Sequence, residues 1–137
     1  MASSPKILVD SNVLLDVLQD DPRHGNRSAA ALARAVEEGA AINPVIYAEV
    51  SVGFDRIEDL EAALPAHDFP RLALPLEAAF LAGKCFLRYR RSGGGKRSPL
   101  PDFFIGAHAV VAGMRLLTRE TARYATYFPG LAIERPR

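Results

Sequence analysis

Residues 6–16, KILVDSNVLLD, carry the pattern that decides the fold. The apolar run at residues 7–9 is typical of a short buried strand. The apolar periodicity of residues 13–18 predicts an amphipathic helix directly behind it. Asp10 stands between the two, although the cap of such a helix would normally be a residue such as Ser11. We therefore expect Asp10 to serve a purpose other than capping.

The same alternation of strand-like and helix-like segments continues along the chain. Alternating strands and helices are typical of a parallel sheet with helices on both faces. The sequence therefore predicts one α/β domain over residues 1–137, with a five-stranded parallel sheet between helices. The predicted strands are ILV at 7–9, AAIN at 40–43, RLAL at 71–74, RLLT at 115–118 and LAIE at 131–134.

The predicted helices lie between these strands. The second helix, SAAALARAVEEG, has Asn26 or Ser28 as a candidate N-cap and Gly39 as its stop. Pro44 suits the first turn of the third helix, VIYAEVSVGF. The others are RIEDLEAAL, PLEAAFLAGKCFLRYRR, DFFIGAHAVVAG and ETARYATYF, and a glycine-rich basic loop, SGGGKRSPLP, precedes DFFIGAHAVVAG.

Composition places the chain among ordinary globular proteins. Of its 137 residues, 49% are hydrophobic and 24% are charged, and the net charge of +1 hides an uneven distribution. The start MASSPKIL lacks the basic and apolar regions of a signal peptide, and the longest apolar stretch is too short to span a membrane. The lone Cys85 excludes an intrachain disulfide. We expect a cytoplasmic protein without membrane contact.

Three carboxylates fall where predicted strands or loops give way to helices, and a fourth lies within a helix. Asp10 ends the first strand, Glu120 follows the strand RLLT, and Asp102 opens a helix after a loop. Glu49 lies about one turn into the helix that leaves the second strand. Ligands of open parallel sheets bind beyond the carboxyl ends of the strands. The four acids are therefore expected to converge on one rim.

Crowded carboxylates raise one another's pKa unless a cation compensates for their charge. A hard cation that prefers oxygen ligands, Mg²⁺ or alternatively Mn²⁺, is the natural occupant, and it can activate water against a phosphodiester. The predicted role of Asp10 is thus to hold a metal. Taken singly, Asp102 is as well explained as a helix cap and Glu120 as a first-turn acid.

Four blocks of the sequence together resemble PIN-domain ribonucleases, and most of all the VapC-type toxins of bacterial toxin–antitoxin pairs. The blocks are ILVDSNVLLD, YAEV, PDFFIGAHA and LLTRETARYATYFPGLAIERP, in the order and spacing of that family. The resemblance implies Asp10, Glu49 and Asp102 as the main acids of a catalytic metal site, with Asp10 and Asp102 as metal ligands. Glu120 would be the fourth catalytic acid, at a position where members usually have aspartate.

The resemblance also implies supporting residues, an activity and a partner. Asn12 and Thr118 match positions near the site, where they would hold a carboxylate or a water molecule. The expected activity is Mg²⁺-dependent endoribonuclease cleavage, and the expected partner is a co-expressed antitoxin that blocks the site. An arginine of the antitoxin would pair with the acidic pocket.

A basic segment precedes Asp102. It runs from Arg88 to Arg97 without an acid, which predicts a patch that binds RNA phosphates. The alternative is a solvated helix end, because basic residues suit a helix C-terminus. The residues assigned to RNA binding are Arg90, Arg91, Lys96 and Arg97.

Apolar residues of the third and fourth helices exceed what one sheet face covers. They predict either a homodimer contact or a groove for an amphipathic antitoxin segment, unless all of them are core. The residues are Val45, Val52, Phe54, Ile57 and Leu60.

Other functions remain open at this point. A phosphotransferase that uses Asp10 as nucleophile would want a second acid where Asn12 stands. A phospho-receiver domain would need a lysine near the fifth strand, and LAIERPR offers none. A PIN fold that binds RNA without cleaving it is compatible with Glu120.

Overall fold

The computed structural model describes residues 4–94 and 99–137. Its strands are β1 (Ile7–Val9), β2 (Ala40–Ala41), β3 (Arg115–Leu117) and β4 (Ile133–Glu134). Its helices are α1 (Ser11–Leu18), α2 (Gly25–Glu38), α3 (Pro44–Ser51), α4 (Ile57–Ala63), α5 (Leu76–Arg91), α6 (Leu100–Ala112) and α7 (Thr121–Tyr127).

The sheet is parallel throughout, with the strand order β2-β1-β3-β4. The prediction of five strands is wrong: the sheet described has four. Residues 71–74 contribute a single bridge, from Arg71 to Ile42, and their pairing stops there. The reason is local, because the chain turns into α3 at Pro44, directly after the capping residue Asn43, and so cannot continue as a strand.

The direction of the crossovers decides where ligands can bind. The chain passes from β1 through α1 and α2 to β2, which lies at one edge of β1. It then passes from β2 through α3–α6 to β3, which lies at the other edge of β1. Right-handed crossovers that run in opposite directions put their helices on opposite faces of the sheet. The loops after β1 and β3 therefore separate and leave a crevice at the carboxyl ends of these two strands.

The core lies on both faces of the central strands. Residues 7–9 are fully buried, as expected for a strand covered on both sides. On one face α2 packs against β1 and β2, and on the other α6 packs against β3, α3 and α7, with α5 antiparallel alongside it. No helix in the described part of the chain is long and apolar enough to cross a membrane.

Candidate active site

Asp10 lies at the junction of β1 and α1, where the sequence places it. Its backbone N–H donates to the carbonyl of Leu117 at 2.9 Å, which continues the sheet by one residue. Asp10 is also the N-cap of α1, and its Oδ1 accepts from the N–H of Ser11 at 2.8 Å. The expectation that Asp10 would not be the cap is therefore wrong: one carboxylate oxygen caps α1.

The other oxygen of Asp10 faces side chains from distant parts of the chain. Asp10 Oδ2 accepts from the hydroxyl of Thr118 at 2.7 Å, from that of Tyr124 at 3.0 Å and from Asn12 Nδ2 at 3.3 Å. Asn12 Nδ2 also lies 3.2 Å from Thr118 Oγ1, and Asn12 Oδ1 accepts from the N–H of Arg119. Asn12 and Thr118 thus orient the Asp10 carboxylate.

Ser11 links Glu49 to Asp10 by hydrogen bonds. The hydroxyl of Ser11 donates to Glu49 Oε1 at 2.9 Å. Helix α3, which carries Glu49, begins at Pro44 and is capped by Asn43. Burial raises the pKa of Glu49, the charges of Asp10 and Asp102 raise it further, and the Ser11 hydrogen bond opposes them.

Asp102 lies in the first turn of α6, across the crevice from Asp10. Its Oδ1 lies 3.4 Å from the Tyr124 hydroxyl, so that this hydroxyl stands between Asp102 and Asp10. Its Oδ2 accepts from Arg123 at 2.5 Å. Burial and the neighbouring carboxylates raise the pKa of Tyr124, which therefore stays a hydrogen-bond donor.

The carboxylate of Asp10 is buried at an energetic cost. Burial raises its pKa to about 6, and the negative charge of Asp102 adds to the shift, whereas hydrogen bonds from Thr118, Tyr124 and Ser11 lower it. A cation bound beside such a buried carboxylate would stabilise its charged form. The donor set of carboxylate oxygens fits a hard divalent cation such as Mg²⁺.

The present arrangement does not itself form a closed metal site. Among residues 4–94 and 99–137, no three acids, histidines or cysteines lie close enough together to hold a metal ion. The contacts explain this, because Glu49 is drawn to Ser11 and Asp102 to Arg123. The structure brings Asp10, Glu49 and Asp102 to one crevice, and their assignment as metal and catalytic residues stays a prediction.

Glu120 lies at the edge of this group. It is exposed at the N-cap position of α7, and its side chain makes no capping hydrogen bond. Its backbone N–H donates to Thr118 Oγ1 at 2.9 Å, and its charge acts on Arg123. Glu120 therefore touches the site through Thr118 and Arg123, and its role as a fourth catalytic acid stays a prediction.

The basic end of α5 lies beside the start of α6. Tyr89 packs against Phe103 and Tyr127, with ring centroids 6.0 and 6.5 Å apart, and the guanidinium of Arg88 lies 4.9 Å from the centroid of the Tyr127 ring. Two residues assigned to RNA binding, Arg90 and Arg91, are both exposed on the last turn of α5. The other two, Lys96 and Arg97, lie outside the described residues.

Sequence reasoning missed three residues of the site: Ser11, Arg123 and Tyr124. Ser11 adjoins Asp10, and its sequence position suggests only a cap. Tyr124 is fully buried. It follows Glu120 by four residues, about one helical turn, and this spacing is the feature of the sequence that could have placed it near the predicted acids. Arg123 precedes it, and its pairing with Asp102 depends on how α6 and α7 pack.

Comparison with known proteins gives one family and a set of structural relatives. The family model described as PIN domain matches residues 7–128. No curated protein sequence matches the chain.

Three solved complexes contain chains of similar fold. A toxin–antitoxin complex from Klebsiella pneumoniae has a chain 24% identical, with a TM-score of 0.68 and 98% of each chain covered. A DNA-bound VapBC complex from Salmonella typhimurium has one 20% identical, with a TM-score of 0.70 and coverage of 97% of this chain and 99% of that one. A promoter-bound VapBC2 complex from Rickettsia felis has one 16% identical, with a TM-score of 0.69 and coverage of 94% and 97%.

Proposed function

The chain belongs to the PIN domain family, and we propose that it is a Mg²⁺-dependent endoribonuclease that acts as a VapC-type toxin. The observation that carries the proposal is the state of Asp10. It is a buried acid with its pKa raised to about 6, coupled to Glu49 through Ser11 and to Asp102 through Tyr124. A nuclease that uses a divalent cation needs this kind of acidic crevice.

Asp10 and Asp102 are the proposed metal ligands, with Glu49 close by. A divalent cation, Mg²⁺ or Mn²⁺, supplies a Lewis acid for the phosphodiester and lowers the pKa of water at the site. Thr118 and Asn12 hold Asp10 in one orientation.

Glu49 is the proposed proton acceptor. Its Oε1 is held by Ser11, whereas no hydrogen bond to Oε2 is found among the described residues. Its raised pKa improves a carboxylate as a base, because the ideal pKa of a general base approaches the working pH. Glu49 Oε2 can thus take a proton from the attacking water.

The decisive experiment compares two aspartate substitutions. Asp10→Asn should abolish cleavage of single-stranded RNA while the protein stays folded, and Asp59→Asn, at an exposed position in α4, should cleave like the wild type. Circular dichroism and gel analysis of labelled RNA measure the two effects. Cleavage by the pure wild-type protein in EDTA would contradict the metal mechanism.

The antitoxin is the proposed partner. The structural relatives are toxin–antitoxin complexes, and the acidic crevice suits an arginine from another chain. Of the apolar residues predicted for a partner surface, Leu60 is core and Val45 and Phe54 pack against the core, whereas Val52 and Ile57 are 87% and 63% exposed. Val52 and Ile57 are therefore the two of these residues that are proposed to contact an antitoxin segment or a second copy of the chain.

One observation favours a second candidate, a PIN fold that binds RNA without cutting it. The ion pair between Arg123 and Asp102 occupies an acid that the nuclease needs. Under this alternative the wild type binds RNA and does not cleave it at any Mg²⁺ concentration, so the same assay separates the two functions.

A further inference from the structure

A cleft lined by arginines lies beside β3 and β4, and one end of it, at Arg135, lies near Thr118. Its volume is about 580 Å³, and its lining includes Arg27, Arg115, Arg135 and Arg137, with Glu134 as the acid. An adjoining cavity of about 120 Å³ shares Arg27 and Arg135. Arg119 lines this second cavity as well, and we call the two together the arginine cleft.

The topology of the sheet leaves this cleft open. Helix α2 packs over β1 and β2, whereas the crossover from β3 to β4 passes through α7, which packs against α6 on the opposite face. The β3–β4 half of the sheet on the α2 side is therefore less covered. The cleft runs along this half, between Arg27 on α2 and the chain that follows β4.

Only part of the positive charge in the cleft is compensated. Arg119 makes a bidentate pair with Asp16, at 2.7 and 3.0 Å, and Arg115 pairs with Glu38. For Arg27, Arg135 and Arg137, no side-chain hydrogen bond or ion pair is found within residues 4–94 and 99–137. Like charges brought together repel one another, so a bound anion would stabilise this arrangement.

The cleft lies next to the acids. The carbonyl of Glu134 accepts from the N–H of Thr118 at 3.0 Å, so Arg135 begins beside Thr118, whose hydroxyl donates to Asp10. The basic end of α5 lies on the other face, against α7. The acidic crevice is thus flanked by positive charge on both sides.

We propose that the arginine cleft binds the backbone phosphates of an RNA strand whose next segment lies across the acidic crevice. This rests on the proposed function, and it adds an RNA path on the β4 side to the one predicted at the end of α5. Guanidinium groups pair bidentately with phosphate oxygens. Phosphate contacts position a strand without distinguishing its bases, so the cleft should supply affinity rather than sequence preference.

The test removes the three uncompensated charges. The cleft variant is Arg27→Gln/Arg135→Gln/Arg137→Gln, and the control, Lys6→Gln/Arg56→Gln/Lys84→Gln, loses the same charge at exposed positions outside the cleft. Binding of a labelled single-stranded RNA is measured by fluorescence anisotropy in EDTA over a series of salt concentrations. The cleft variant should bind at least about tenfold more weakly, with a salt slope smaller by roughly 0.7 for each lost contact. The control should bind like the wild type.

The outcomes separate this inference from the proposed function. Equal binding by the cleft variant and the control would overturn the cleft, even where the wild type cleaves RNA in Mg²⁺. Binding that depends on the cleft without any cleavage would support it and contradict the nuclease. A change of oligomeric state in the cleft variant alone, seen by size-exclusion chromatography, would make the cleft a subunit contact and overturn the inference.

Discussion

At the scale of single residues, the site is a compromise between charge and burial. Asp10 is 2% exposed, and four donors from Ser11, Asn12, Thr118 and Tyr124 surround its carboxylate. These hydrogen bonds favour the charged form but do not offset the desolvation, because the pKa still rises to about 6. At neutral pH the folded protein therefore carries an unfavourable charge that a cation would neutralise.

This unfavourable charge predicts how stability depends on pH. The pKa of an aspartate in an unfolded chain is 3.8, whereas the pKa of Asp10 in the folded protein is about 6. Between these values the folded state keeps a proton that the unfolded state has lost, so the free energy of unfolding falls as the pH rises from about 4 to 6. For this shift the fall is about 3 kcal/mol, at 1.36 kcal/mol for each pKa unit.

Urea unfolding of the wild type and of Asp10→Asn, in EDTA from pH 4 to pH 7, measures this effect. The variant should gain stability relative to the wild type as the pH rises, by about 3 kcal/mol over the range. His108, with a pKa lowered by burial, titrates in both proteins. Glu49 contributes to the difference as well, because the charge of Asp10 raises its pKa only in the wild type. If the free energies of unfolding of the two proteins changed with pH in parallel, the pKa of Asp10 would not be raised in the folded protein.

Part of the site was accessible to sequence reasoning, and the reason is local. The strand-to-helix junction predicts the place of Asp10, and the family pattern adds Glu49 and Asp102. Tyr124 could not be inferred in the same way, because its hydroxyl contacts Asp10 only when α7 packs beneath the crevice. The pairing of Arg123 with Asp102 also arises from tertiary packing and not from spacing.

At the scale of elements, Asn43 ties together the helices that carry two of the acids. Its Oδ1 accepts from the N–H of Ile46 at 2.9 Å and caps α3, so its Nδ2 faces His108 Nδ1 at 3.0 Å. The amide donates to this nitrogen, which places the histidine proton on Nε2. Burial lowers the pKa of His108 and keeps the ring neutral. Helix α3, with Glu49, is thereby fixed to α6, with Asp102.

Substitution of Asn43 should destabilise the fold through both contacts. Asn43→Ala removes a cap, which costs about 1 kcal/mol, and leaves buried His108 without this partner, which costs about 1–3 kcal/mol more. Urea unfolding at pH 7 should show a loss of about 2–4 kcal/mol. Asn26→Ala, at an exposed position of α2, is the control and should stay within about 0.5 kcal/mol of the wild type. A loss below about 1 kcal/mol for Asn43→Ala would contradict this role.

The observed strands and helices agree with the sequence-based predictions except where contacts between distant residues determine the structure. The alternation predicts four strands that form, and the fifth fails because Ile42 offers residues 71–74 only one bridge. Helix α2 begins at Gly25, ahead of the candidate caps Asn26 and Ser28. Ser28 is instead buried and donates to Asp16 at 2.7 Å, a contact between α1 and α2 that no local pattern reveals.

At the scale of the whole molecule, the net charge of +1 conceals an ordered separation of charges. Acids gather where the chain leaves the paired strands β1 and β3, and arginines from α2, β3 and the chain after β4 gather beside β4, the next strand. Sequence analysis located the acids because Asp10, Asp102 and Glu120 stand at the starts of predicted helices and Glu49 lies one turn into the helix that leaves the second strand. It missed the arginine cleft because Arg27 and Arg135 are separated by most of the chain and meet only through the sheet order.

The surface of α3 and α4 offers a contact for a partner protein. A groove of about 230 Å³ lies there, lined by Tyr47, Phe54, Ile57 and neighbouring residues, and Val52 is exposed at the end of α3. Exposed apolar side chains beside a groove suit an amphipathic segment of another protein. If the chain is the proposed toxin, co-expression with the product of the neighbouring gene should yield a complex and should relieve any growth inhibition seen when this chain is expressed alone.

Matched substitutions locate that contact. Val52→Ser/Ile57→Ser should weaken the complex about tenfold or more, because the contact loses buried apolar area. Leu76→Ser/Phe80→Ser removes side chains that are 84% and 70% exposed on α5 and should leave the affinity unchanged. Isothermal titration of each variant with the purified partner gives the comparison. A chain that is harmless alone and binds nothing encoded beside it would refute the toxin assignment, even if it cleaves RNA.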